Sequence, residues 1–282
     1  MSLRKFRSFL SRFRLGRFGK SGSKVERALN VKTGDGCALR ALFKRFSWSK
    51  LSAGRNELTC RYEPFQPFLF VKLASTAECA IVLDIGANIG AYSILSTRAA
   101  VVESIHAFEI EEAAFAELNH NIRLNRLEEK VTSHFIAASD HDGFVSFGVA
   151  KAMAGNNGVV DTSIHSTNIY NETRQVPSSA LDSIFSYANK SIALKIDVEG
   201  HEYNVLGGCR NILLNNKCIV QIEIYNEQDH LLEFFEKIGY VRFFKVGPDH
   251  YFSNNDLFNQ PERVLNLLED VIGEMVWFSL YG

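Results

Sequence analysis

In the run I-A-L-K-I-D-V-E-G-H-E, from Ile192 to Glu202, an apolar stretch ends in four polar or ionisable side chains within six residues: Asp197, Glu199, His201 and Glu202. Carboxylates and an imidazole at such spacing can take a proton from a hydroxyl, hydrogen-bond its neighbours or face a cationic group. His201 falls in the first turn of an expected helix, where the helix dipole disfavours imidazolium and keeps the ring able to accept a proton. It is the favoured base, with a surface or capping residue as the alternative. Asp197 either takes that proton or holds a charged ligand or a hydroxyl, because a lone carboxylate on a buried strand needs a partner. Glu199 is placed to hydrogen-bond substrate hydroxyls. Glu202 reads most simply as a carboxylate favoured by the helix dipole. Asp197, Glu199, His201 and Glu223, the last in the neighbouring run Q-I-E-I-Y, could converge on a hard divalent cation that acidifies the hydroxyl, or Glu223 is buried against Lys195; hydroxyl recognition without a metal is the favoured reading.

A second motif, D-I-G-A-N-I-G, spans Asp84–Gly90. Glycines at a strand-to-helix turn let the backbone approach a ligand, and the helix start presents free N–H groups to it. Dinucleotide binding expects G-x-G-x-x-G, whereas Gly86, Asn88 and Gly90 stand here, so a nicotinamide-dependent dehydrogenase is disfavoured. Asp84 before the turn would repel a pyrophosphate but suits a cationic ligand. The next strand ends in A-F-E, and Glu109 at its tip is placed to accept the hydroxyls of a ribose. A nucleoside with a positively charged, phosphate-free extension is S-adenosylmethionine.

The elements that must position these residues follow from the hydrophobic pattern. Strands are expected at Ala80–Ile85, Ser104–Phe108, Val131–Ala138, Ile192–Ile196 and Ile219–Tyr225. Phe144–Val149 reads as an antiparallel addition, and Tyr240–Val246 with His250–Ser253 as a closing hairpin around Gly247 and Pro248. Helices are expected at Glu63–Ala74, Ala91–Val101, Glu111–Arg126, His201–Leu214, Asp229–Ile238 and Glu262–Met275. Continuous apolar strands alternating with helices predict a mostly parallel α/β sheet, covered on both faces, with an antiparallel last strand. In such a sheet ligands bind outside the carboxyl ends of the strands, so Asp197 faces a cleft beside the glycine turn.

D-I-G-A-N-I-G, H-A-F-E, A-A-S-D-H-D-G and K-I-D-V-E-G-H-E, in that order, resemble the FkbM family of S-adenosylmethionine-dependent methyltransferases. The resemblance runs from about Tyr62 to Ser253. It implies a Rossmann-like class I methyltransferase sheet and O-methylation of a hydroxyl on a sugar, glycan or polyketide-like small molecule. Carried onto this chain, it implies cofactor contacts along the turn, at Asp84, Gly86, Ala87, Asn88 and Gly90, and at Glu109. It also puts Ser139 or Asp140 near the adenine. Ile110 departs from the pattern, since the family often has Pro after the acid.

The 282 residues carry a net charge of −1, which names no partner by itself. The distribution is uneven. Residues 1–24 hold eight Lys or Arg and no acid; from Val25 onward 23 basic residues face 32 acidic ones, a net of −9. In the tail, Leu3, Phe6, Leu10 and Phe13 stand at helical spacing among arginines, a pattern that suits an anionic membrane or nucleic acid, or else a solvated leader. Five cysteines without metal spacing, and no apolar run long enough to cross a bilayer, fit a cytoplasmic enzyme, with the tail as a peripheral contact at the inner membrane face. The chain divides as tail 1–24, an N-terminal extension 25–62, a methyltransferase domain 63–253 and a helical extension 254–282. A nucleic-acid acceptor is disfavoured by the acidic body and by the absence of N-P-P-Y and of a Pro-Cys nucleophile. A membrane-associated binding protein with a degenerate cofactor fold is the remaining alternative, opposed by the intact glycine turn. Oligomeric state and acceptor identity are not encoded in these motifs.

Overall fold

The computed structural model describes residues 65–149, 158–159, 172–225 and 229–281. The basic tail and nearly all of the N-terminal extension lie outside them. In chain order the elements are α1 (Gln66–Thr76), β1 (Ile81–Ile85), α2 (Ala91–Ser96), β2 (Ser104–Phe108), α3 (Glu112–Leu124) and β3 (Val131–His134). Then come β4 (Ala137–Ala138), β5 (Gly143–Val149), β6 (Gly158–Val159), β7 (Glu172–Ser179), α4 (Leu181–Ile184) and β8 (Ser191–Ile196). The chain closes with α5 (Glu202–Gly208), α6 (Arg210–Asn215), β9 (Lys217–Glu223), α7 (Asp229–Lys237), β10 (Val241–Val246), β11 (Asp249–Ser253), a 3₁₀ turn (Asp256–Asn259) and α8 (Pro261–Tyr281).

Seven strands form one sheet in the order β10-β11-β9-β8-β1-β2-β3. The strands β9, β8, β1, β2 and β3 pair in parallel, and β11 runs antiparallel to both its neighbours, which gives the reversed last strand expected from the hairpin signal. Every residue of β1 is buried, as a strand covered on both faces requires. Val82, Ala193 and Ile219 face one core with α1, α2, α3 and α8. Leu83, Leu194 and Val220 face the other, with α5, α6 and α7. The helical extension is part of this body: Val264, Leu267 and Val271 of α8 belong to the same core as Leu69 and Leu73 of α1, and Lys72 pairs with Glu274 at 2.9 Å.

Three expected elements are shorter or divided. The helix after the glycine turn ends at Ser96, where Thr97 bonds back to the Ile94 carbonyl and Lys130 reaches the Thr97 carbonyl. The single helix expected over His201–Leu214 breaks at Cys209: Gly207 and Gly208 weaken its end, and the Asp182 carboxylate accepts from the backbone N–H of Asn211 and Ile212 to start a new one. The third strand splits, and its second half, β4, pairs with β7 in a separate four-stranded sheet of order β4-β7-β5-β6. No sequence signal singled out β7, whose E-T-R-Q-V-P-S-S is mostly polar.

Candidate active site

The ends of β1, β2, β8 and β9 meet at one edge of the sheet. Parallel register sets Asp84 beside Lys195 and Lys195 beside Gln221, and antiparallel register adds Tyr251, so a buried polar row crosses the apolar sheet one step below its rim. The glycine turn sits above β1. Its path needs positive φ at Gly86 (80°), Asn88 (50°) and Gly90 (88°). A Cβ on Gly86 would fall 1.8 Å from the Asp197 carbonyl oxygen, so only glycine lets the turn lie against the end of β8. Gly86 and Ala87 donate their N–H groups to the Phe108 carbonyl, which fixes the turn to β2 and leaves the Ala87 side chain in the core.

Glu109, half-buried at the end of β2, is held by backbone. Its Oε2 accepts from the N–H of Asn88 at 2.8 Å, and its Oε1 from those of Ile110 and Glu111, both at 2.7 Å. Burial raises its pKa, and the three N–H groups oppose that rise. A carboxylate has about four lone-pair sites, so three are used and capacity remains on Oε2 for a sugar hydroxyl. Asp84, which the resemblance implies as a cofactor contact, lies within the sheet below the turn. Fully buried, it accepts from both the N–H and the hydroxyl of Ser93, at 2.9 and 2.6 Å, and thereby ties β1 to the start of α2. Burial pushes its pKa up despite those bonds and the nearby Lys195. Ser139 is also fully buried; its hydroxyl meets His201 Nε2 at 2.9 Å. Asp140, exposed at the rim, bonds to His141 and Asn204.

On the other side of Gly86, carboxylates crowd. Oxygen atoms of Asp197, Glu199 and Glu223 all lie within 4.8 Å of one another. Lys195, buried although it sits in an apolar strand, places its Nζ 2.8 Å from Asp197 Oδ2 and 4.9 Å above the Tyr92 ring. Burial pushes Asp197 up, but the charge and hydrogen bond of Lys195, with a smaller contribution from the neighbouring Glu223 carboxyl, outweigh it and hold the carboxyl below its usual range. Burial and the charges of Asp197 and Glu202 push Glu199 up to about 7. Glu199 occupies a left-handed conformation with φ of 54°, uncommon for a residue with a Cβ. Glu202, buried, accepts from the N–H of Val198 and Gly200 and so braces this turn from within.

The structure thus brings Asp197 and Glu199 together with Glu223, and turns His201 onto Ser139. His201 stands at the N-cap position of α5 without a side-chain cap bond. The motifs did not reveal Asp249, whose buried carboxylate accepts from Gln66 and Gln221 and is pushed by burial to about 6. Nor did they reveal Tyr225, whose hydroxyl donates to Glu223 at 2.5 Å. The signal for Asp249 was hidden in G-P-D-H, which reads as a turn.

A doubly covered, mostly parallel sheet with a reversed last strand, a glycine turn after β1 and an acid at the tip of β2 defines the Rossmann-like methyltransferase class. Residues 84–242 match the model described as Methyltransferase FkbM domain, more than half of the chain, and the chain belongs to that family. It is a methyltransferase, and its methyl donor is S-adenosylmethionine. The residues present fit that donor: the turn is closed to any Cβ at Gly86, Glu109 offers an oriented sugar contact, and the neighbouring groups are predominantly acidic, as a sulfonium requires.

Among solved structures, the chain is similar to a methyltransferase from Geobacter sulfurreducens, at 11% identity and a TM-score of 0.48, over 83% of this chain and 97% of that one. It is similar also to an O-methyltransferase from Bacillus cereus in complex with SAH (12%, TM-score 0.44, 81% and 94% covered). A third is a putative RNA methyltransferase from Pyrococcus horikoshii (10%, TM-score 0.42, 76% and 96% covered). No curated protein matches the chain. Among the described residues, no helix is long and apolar enough to cross a membrane.

Proposed function

We propose that the chain methylates a hydroxyl of a sugar, glycan or polyketide-like small molecule, with Glu199 as the base and Asp197 orienting the acceptor. The observation that carries this reading is the cluster of Asp197, Glu199 and Glu223 directly across Gly86 from the nucleoside side of the cleft. S-adenosylmethionine supplies an electrophilic methyl group on a good leaving group. An alcohol must lose its proton as it attacks, so the chain has to align the hydroxyl and receive that proton. Alignment is the larger task, worth roughly 7–11 kcal/mol in a near-attack geometry, and a positioned base adds about 10²–10⁴-fold.

Glu199 suits the proton. Its pKa of about 7 matches a base that must be free at neutral pH yet able to hold a proton, and its turn is fixed by Glu202 beneath it. Asp197 remains anionic through Lys195 and can accept a hydrogen bond from the acceptor. His201 is the weaker candidate because its Nε2 is engaged by Ser139. With a free base required, the rate of methyl transfer should climb as pH rises through about 7.

The test is incubation with S-adenosylmethionine carrying a ¹³C-labelled methyl group and panels of glycans, polyketide alcohols and RNA, followed by NMR of the product. The expected signal is a methyl carbon bonded to oxygen. A methyl on a base nitrogen or carbon would overturn the hydroxyl reading. We further propose that residues 1–24, by their alternation of Arg with Leu and Phe, bring the enzyme to anionic membranes at the cytoplasmic face. The full chain should sediment with anionic vesicles and a chain lacking residues 1–24 should not; equal sedimentation would remove that role.

A further inference from the structure

Parallel pairing of Ile196 with Ile222 carries Asp197 to the side of Glu223, and antiparallel pairing sets Glu223 opposite Asp249. Glu223 is buried, has a carboxylate oxygen within 4.8 Å of one of Asp197, and accepts from the Tyr225 hydroxyl at 2.5 Å. Two carboxyl groups this close, with one of them buried, disfavour a second negative charge, and a proton kept on one of them relieves the repulsion. The surroundings decide which. From β8, Lys195 lies against Asp197 and favours its anion. From β11, Asp249 adds a carboxyl beside Glu223, and Glu199 adds another from the turn after β8. Glu202 and Asp84 add acidic groups behind Asp197. Tyr225 favours charge on Glu223 through its hydrogen bond.

We propose that Asp197 and Glu223 hold one proton between them, carried on Glu223, and that Tyr225 is a positioning residue that aims the Glu223 carboxyl so that it donates to Asp197. This rests on the reading that the acceptor is an alcohol. Burial first, and then the charge of Asp197, push Glu223 up to about 9, so its carboxyl stays protonated through neutral pH. The pair then presents a single negative charge to the cleft. That charge is enough to attract a sulfonium and accept from a hydroxyl. A doubly charged pair would compete with Glu199 for the proton.

The arrangement is tested without an acceptor by infrared difference spectroscopy of the full chain titrated from acid to alkaline pH. A protonated-carboxyl band should persist above pH 7, vanish in Glu223→Gln, and in Tyr225→Phe titrate at higher pH than in wild type, since the lost hydrogen bond favours the anion. With S-adenosylmethionine and a hydroxyl acceptor, wild type should lose rate as pH rises through about 9. Glu223→Gln, which keeps a donor but cannot titrate, should lack that alkaline limb; Glu223→Ala should be about 10²-fold slower, with rescue by Gln. A missing acid band above pH 7, or a Gln variant as slow as the Ala variant, would overturn the shared proton. If no alcohol is methylated, the proposed function fails, and the infrared result still decides this inference.

Discussion

Glu109 and Glu223 are both acids at the ends of sheet strands lining one cleft, yet they are held in opposite ways. Glu109 is surrounded by three backbone N–H groups, from Asn88, Ile110 and Glu111. Glu223 meets a phenol and a second carboxyl. Backbone donors cannot titrate and cannot swing away, so the Glu109 carboxyl is held in one orientation. Side-chain acids close to one another respond to pH and to an arriving hydroxyl, which is why the proposed function assigns the chemistry to the β8 and β9 side. Gly86 is the seam between the two, within reach of the Asp197 carbonyl.

Variants along this seam break or sharpen the contrast. Gly86→Ala should have the largest effect, because its Cβ meets backbone at 1.8 Å in a left-handed conformation; calorimetry should find no S-adenosylmethionine binding, and the melting temperature should fall. Glu199→Gln should slow methyl transfer by about 10²–10⁴-fold and flatten the rise of rate through pH 7, with donor affinity retained. Glu109→Ala should weaken donor binding by about 10- to 100-fold, the loss of a charged hydrogen-bond partner, with a smaller change in rate at saturating donor. His201→Gln, which can still bond to Ser139, should change the rate by less than about tenfold, well below the loss expected for a general base; a 10²-fold drop with a lost pH dependence would restore His201 to that role.

The glycine turn and the acid after it were legible in the sequence because they are local. A glycine turn, an acid at the next strand end and the helix that follows are contiguous patterns, and the strand boundaries followed from unbroken apolar runs such as I-V-L-D-I. Asp84 stands at the strand end by sequence, but only the packing of α2 shows the two bonds it accepts from Ser93. The acceptor side is assembled by register between distant strands. Asp249 reaches Glu223 only because β11 inserts antiparallel beside β9, and Tyr225 acts on a residue two positions earlier, after the chain leaves the sheet. His201 illustrates the limit of helix-start reasoning. Its environment is set by Ser139, 62 residues earlier in the chain, a contact no spacing rule contains. The second sheet escaped because β7 is polar and β4 only two residues long.

The most direct measurement of the division of labour is calorimetric titration of S-adenosylmethionine, at neutral pH, into the wild type, Glu109→Ala and Glu199→Gln. Binding should be retained in wild type and Glu199→Gln and weakened about 10- to 100-fold in Glu109→Ala. Absence of binding to the wild type, or equal weakening in both variants, would contradict the account.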